Sequence, residues 1–185
     1  MKHNTTKDSE LSYLNEIVFM PCGLQLTNLE IETESQDYFA HQFKLNGKPI
    51  KFRTAKTTPT KIGQFVTLWK RNEKGITEPY NIFNEFDFYI IATRKDKKLG
   101  VFIFPKTVLH SFKILSDTMM DGKRGFRVYP IWDIAANKQA QKTQDWQLKY
   151  FINISLNHAI DKDLVEQLFN PNITLERNTR SERKH

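Results

Sequence analysis

Residues 86–93 read FDFYIIAT and residues 99–104 read LGVFIF, separated by the charged turn Arg94-Lys95-Asp96-Lys97-Lys98. Runs this rich in β-branched and aromatic side chains make strands covered on both faces rather than strands with one wet side. Joined by a short charged turn and stopped by Pro105, the two predict a hairpin in the middle of a sheet. The rest of the fold must supply cover for both of its faces.

The flanking sequence offers helices early and late and more strands between. Ser9 is placed to cap a first helix, with Leu11, Leu14, Ile17 and Val18 at helical spacing and Pro21 and Gly23 ending it. Residues 38–45 alternate, with Phe39, His41, Phe43 and Leu45 on one face. Asn46-Gly47 follows, a pair that accepts the positive φ angles of a type I′ hairpin turn, and residues 50–54 return as the partner strand. Residues 53–61 have no periodicity and read as a loop, 64–69 as a strand, and 72–79 as a turn region. Residues 107–115 suit a short helix, and Asp121-Gly122-Lys123-Arg124-Gly125 a basic turn. Residues 137–154 form the longest helical pattern. Asp161 or Asp163 caps a last helix carrying Leu164, Val165, Leu168 and Phe169, which Asn170-Pro171 stops. The expected class is α+β: one domain over residues 1–170, a largely antiparallel or mixed sheet of roughly five to seven strands flanked by helices. A polar, basic tail covers residues 171–185.

Charge is unevenly distributed. Residues 1–43 hold two Lys/Arg against seven Asp/Glu, whereas residues 44–74 hold nine against one and residues 123–149 six against two. Two basic stretches remote in sequence make a polyanion-binding face if folding brings them together. The single cysteine, Cys22, forms no internal disulfide, and no run reaches the roughly 18 apolar residues of a membrane span. Residues 1–20 lack the apolar core of a secretion signal, so the expected location is cytoplasmic.

Catalytic patterns are scarce. There is no Gly-x-Ser-x-Gly elbow and no Walker loop, and the histidines at 3, 41, 110, 158 and 185 lack metal-ligand spacing. Metal-dependent nucleases place an Asp on one strand of a central hairpin and an acid-x-Lys on the next, so that carboxylates hold a divalent cation. Asp87 and Lys106 imitate that spacing, with Glu34 as a candidate upstream acid. Phe104, however, stands where the second carboxylate belongs. One Asp and one Lys cannot displace the water of Mg²⁺, so neither a metal nor another cofactor is expected.

Four motifs resemble the MepB-like family. They are Phe52-Arg53-x-Ala55-Lys56-x-Thr58-Pro59-x-Lys61-x-Gly63-Gln64-Phe65-Val66-Thr67-x-Trp69-Lys70-Arg71, then Phe102-x-Phe104-Pro105-Lys106, then Gly122-Lys123-Arg124-Gly125-x-Arg127-Val128-Tyr129-Pro130-x-Trp132, and Ala140-x-Lys142-Thr143-Gln144-x-Trp146-Gln147-x-x-Tyr150-Phe151. Val101 departs from the pattern, where a Gln often precedes the Phe-x-Phe-Pro-Lys run. The resemblance, over about residues 38–152, implies a fold like that of restriction-endonuclease-type DNA-binding proteins. The leading expectation is a non-catalytic double-stranded DNA binder of weak sequence preference. Its candidate phosphate ligands are Arg53, Lys56, Thr58, Lys61, Lys70, Arg71, Lys123, Arg124, Arg127, Lys138 and Lys142. The alternatives are a nuclease with a degenerate site at Asp87, Lys106 and Glu34, or a pocket for a small anionic or aromatic ligand. Trp69, Tyr129, Trp132, Gln144 and Trp146 would line that pocket, with Gln147 beside them and Arg53 and Arg127 as clamps.

Overall fold

In the computed structural model, which describes residues 5–156 and 158–170, four helices and eleven strands build three sheets. The expected tail, 171–185, lies outside the described residues. The elements are α1 (Thr5–Leu14), β1 (Leu26–Ile31), β2 (His41–Leu45), β3 (Lys48–Thr54), β4 (Lys56–Thr58), β5 (Lys61–Thr67), β6 (Trp69–Arg71), β7 (Thr77–Pro79), β8 (Phe88–Lys95), β9 (Lys98–Pro105), α2 (Lys106–Ser111), β10 (Gly125–Val128), α3 (Lys138–Gln147), β11 (Phe151–Asn153) and α4 (Lys162–Phe169). The main sheet has six strands in the order β1-β2-β3-β8-β9-β11. β3 and β8 run parallel, and the other pairs in this sheet are antiparallel. The α+β class with a central mixed sheet and helices therefore holds.

The β8–β9 hairpin sits at the heart of that sheet, as its apolar runs require. Ile90 and Ile103 face one side and are fully buried with Phe52, Val101 and Ile152 under α1 and α4. Tyr89, Ile91, Phe102 and Phe104 face the other side and are equally buried. What covers them there is a second sheet rather than a helix alone. β10, β5 and β4 form a three-stranded layer that packs Val66, Phe126 and Val128 onto the hairpin. The Asn46-Gly47 turn has φ of 48° and 81°, as expected, and Asn46 donates to the Gly23 carbonyl.

Several local expectations change. Ser9 lies inside α1 and not at its cap, because the helix starts at Thr5 and continues through a π turn (Asn15–Phe19) to Gly23 at φ 69°. Residues 53–61 are no loop: β4 pairs with β5 around Pro59 and Thr60. Residues 72–79 hold β7, which pairs with β6. The long helix expected over 137–154 ends at Gln147, because Phe151 leaves it to pair with Phe102 of β9. At α4 the Asp161 carboxylate accepts from the Leu164 N–H, so Asp161 is the cap. Among the described residues no helix is long and apolar enough to cross a membrane.

Candidate nucleic-acid interface

The two basic stretches meet through strand pairing. β10 runs antiparallel to β5, with Arg127 opposite Phe65 and Gly125 opposite Thr67, and β4 lies on the other edge with Lys56 opposite Phe65. Directly opposed residues in an antiparallel pair project to the same face. Val66, Phe126 and Val128 go into the core, so Lys56, Phe65 and Arg127 form a row across the outer face of the small sheet. The Lys56 ammonium lies 4.8 Å from the Tyr38 ring centroid, and the Arg127 guanidinium 5.9 Å from that of Phe65. Tyr38 and Phe65 meet edge to face at 6.2 Å.

Arg127 is held rigidly. Its Nη1 donates to the Gly63 carbonyl at 3.0 Å and its Nη2 to the Thr58 hydroxyl at 2.8 Å. Both acceptors are neutral, so the positive charge is fixed in place without being cancelled. Thr58 thus positions an arginine rather than presenting its own hydroxyl. Gly63 makes the arrangement possible: it sits at φ +81°, and a Cβ there would meet the Tyr129 ring at 2.7 Å. Gly63→Ala is expected to cost about 2 kcal/mol or more, from left-handed strain plus the clash. A urea midpoint equal to that of wild type would refute it.

Beside this row an open groove of ≈ 480 Å³ separates β10 from α3. Lys61, Lys123 and Arg127 line it together with Tyr129, Trp146 and Phe112, and among the described residues no Asp or Glu does. The helix stands against the strand because the Gln147 side chain, fully buried, behaves like a neighbouring strand. Its Oε1 accepts from the Tyr129 N–H and its Nε2 donates to the Arg127 carbonyl. Asn137, Gln139 and Thr143 of the α3 side complete that wall, and the same helix carries the exposed Lys138 and Lys142. Arg124 is exposed and anchored by Nε and Nη2 to the Thr77 carbonyl.

Other candidates lie elsewhere. Arg53 is fully buried and paired with Glu32, which also pairs with Lys51, so Arg53 reaches neither phosphate nor ligand. Lys70 pairs with Glu78 at 3.2 Å and Arg71 with Glu34 at 2.8 Å. The acidic N-terminal third therefore neutralises part of the first basic stretch. Among the described residues Lys56, Lys61, Lys123, Arg124, Arg127, Lys138 and Lys142 have no carboxylate partner.

The nuclease candidates are not assembled. Asp87 and Lys106 are neighbours, the Lys106 N–H donating to the Asp87 carbonyl, and both line a second cavity of ≈ 610 Å³. Burial lowers the Lys106 ammonium pKa, with Asp87 opposing that shift. Glu34, bonded to Arg71, does not line this cavity, and no group of three His, Cys, Asp or Glu residues among those described is placed to hold a metal. The five pocket candidates also disperse. Tyr129 and Trp146 line the groove, Trp132 packs edge-on against Phe151, and Trp69 lies under Arg71 in β6. Gln144 is buried, donating to the carbonyls of Pro130 and Asp133. Sequence reasoning passed over Tyr38 and Phe112. Neither carries a local signal, since each reaches the site only through tertiary contacts.

A family model described as MepB-like matches residues 32–153. The chain belongs to the MepB-like family. A crystal structure of MepB superimposes with a TM-score of 0.71 at 35% identity, covering 83% of this chain and 98% of that one. A bacterial homing endonuclease aligns over 79% of this chain and 93% of its own, at 13% identity and a TM-score of 0.41, too distant to carry fold or activity across. No curated protein matches the sequence. Three MepB-like motifs named above (those containing Lys61, Arg127 and Gln147) are the ones that build the groove.

Proposed function

We propose that this MepB-like protein binds double-stranded DNA through the phosphate backbone, with weak sequence preference and without cutting it. The observation behind the reading is the meeting of two basic stretches on one β platform, where seven cations keep their charge uncompensated among the described residues. Arg124 and Arg127 are fixed by neutral carbonyl and hydroxyl oxygens, so little freedom is lost when a phosphate arrives. The contacts invoked are all to phosphate, which positions a protein on a duplex without reporting its sequence, and this supports weak preference. The separation of Glu34 from Asp87 and Lys106 supports binding over hydrolysis.

Fluorescence anisotropy with a labelled duplex tests the reading. Six phosphate contacts give a log–log salt slope of about −5, so affinity falls about a thousandfold between roughly 50 and 200 mM salt. Lys138→Ala with Lys142→Ala is expected to flatten that slope by about 2. Lys70→Ala, which removes a side chain already paired with Glu78, leaves it unchanged. Absence of binding at the lower salt, or a slope indifferent to Lys138 and Lys142, rejects the proposal.

A further inference from the structure

We infer that the groove between β10 and α3 is a subsite for a terminal phosphomonoester of a nucleic-acid strand, with the end nucleotide's base against the aromatic wall. The inference rests on the nucleic-acid reading and narrows what this part of the surface takes.

Charge is the first reason. A backbone diester carries one negative charge, whereas a phosphomonoester carries about −1.5 to −2 near neutral pH. Lys61, Lys123 and Arg127 converge on a single concavity whose lining, among the described residues, holds no carboxylate. That is more positive charge than one diester requires, and it suits a dianion. The second cavity, by contrast, sets Glu30, Glu85 and Asp87 against Lys44, Lys51 and Lys106, so its lining has no excess of positive charge.

Donor geometry is the second. Arg127 spends two of its five N–H groups on Gly63 and Thr58 and keeps three, held in a planar fork that matches phosphate oxygens. Lys61 and Lys123, both exposed, add mobile ammonium groups from β5 and from the turn before β10. Lys56, Lys138 and Lys142 are not in the groove lining, which leaves them for the running backbone.

Size and wall chemistry are the third. A volume of ≈ 480 Å³ falls in the small-molecule range of roughly 300–1,000 Å³, room for one nucleotide and not for a duplex. Trp146 stacks on Phe112 at 4.0 Å and 9°, with Phe104 buried behind it, so Phe112, 42% exposed, is the outer ring of a flat apolar wall. A base of any identity stacks on such a ring.

The test compares a labelled single-stranded decamer carrying a 5′-phosphate, a 3′-phosphate or hydroxyls at both ends, with free nucleoside monophosphate and inorganic phosphate as competitors. At least one phosphorylated end is expected to bind about tenfold tighter than the hydroxyl form. Lys61→Ala with Lys123→Ala, both solvent-facing, abolishes that gain without unfolding the protein. Phe112→Ala weakens the phosphorylated decamer but not competition by inorganic phosphate. Equal binding of phosphorylated and hydroxyl ends overturns the inference, and so does free nucleoside monophosphate binding as tightly as the decamer. Covalently closed circular duplex separates this from the broader reading. If it binds with the expected salt slope while end phosphates bring no gain, only the subsite falls. A phosphate gain without any binding of closed duplex removes the duplex reading and keeps the subsite.

Discussion

Glu32→Ala is expected to destabilise the protein by about 3–5 kcal/mol, the usual cost of stripping the partner from a buried charge. Arg53 has no exposed surface, and among the described residues its carboxylate partner is Glu32. Beyond that ion pair it donates from Nη1 to the Phe52 carbonyl, while Nε and Nη2 find no acceptor among the described residues. A guanidinium left in that state is an uncompensated buried charge. Its desolvation therefore falls wholly on the folded state. Against a total stability of about 5–15 kcal/mol, the loss brings the variant close to unfolding at ambient temperature. Two controls separate this from ordinary surface effects. Adding Arg53→Met to Glu32→Ala restores most of the urea midpoint, since an apolar side chain of similar length needs no counter-ion. Glu34→Ala, which frees the half-exposed Arg71, changes it by no more than about 1 kcal/mol. Equal midpoints for Glu32→Ala and wild type would show that the pair holds nothing together.

The second large effect is Gln147→Leu, a nearly isosteric loss of one amide. The substitution strands the Arg127 carbonyl and the Tyr129 N–H at the edge of β10, each at about 1–3 kcal/mol, so a total of about 2–6 kcal/mol is expected. Gln147→Glu keeps the acceptor for Tyr129, loses the donor to Arg127 and buries a carboxylate, so it is expected to be no better. Both are read by denaturant midpoint. If Gln147→Leu unfolds at the wild-type midpoint, the amide is not what seats α3 on the small sheet.

Features decided by adjacent residues were readable in the sequence, and those decided by remote partners were not. The β8–β9 hairpin announces itself because Ile90, Ile91, Phe102 and Ile103 leave no polar face to turn outward. Asn46-Gly47 and the Asp161 cap depend on backbone angles and on contacts within a few residues, and both appear as expected. β4 has only three residues and exists because β5 pairs with it, so the Lys56–Thr58 segment looked like loop. α3 carries a helical pattern past Gln147, but pairing of Phe151 with β9 prevails over propensity. Arg53 is the instructive failure. Alternation rescues a strand assignment only when one face is wet, and both faces of β3 are covered, with Phe52 and Arg53 each fully buried. In sequence a cation in a basic motif reads as a ligand, whereas Arg53 is half of an internal ion pair. The two basic stretches converge through the β5–β10 pairing around Lys61 and Arg127, whereas Arg53, Lys70 and Arg71 are each paired with a carboxylate.

The small sheet is assembled from two detours off the large one: the chain leaves after β3 and rejoins at β8, then leaves after β9 and rejoins at β11. Within that layer the detours are joined by the β5–β10 ladder. A fluctuation that unzips this ladder would dissolve the groove and also lift Val66, Phe126 and Val128 from the face of the hairpin that they cover. Recognition and foldedness are in that sense tied together in this molecule, because the layer that carries the groove also seals one side of the core.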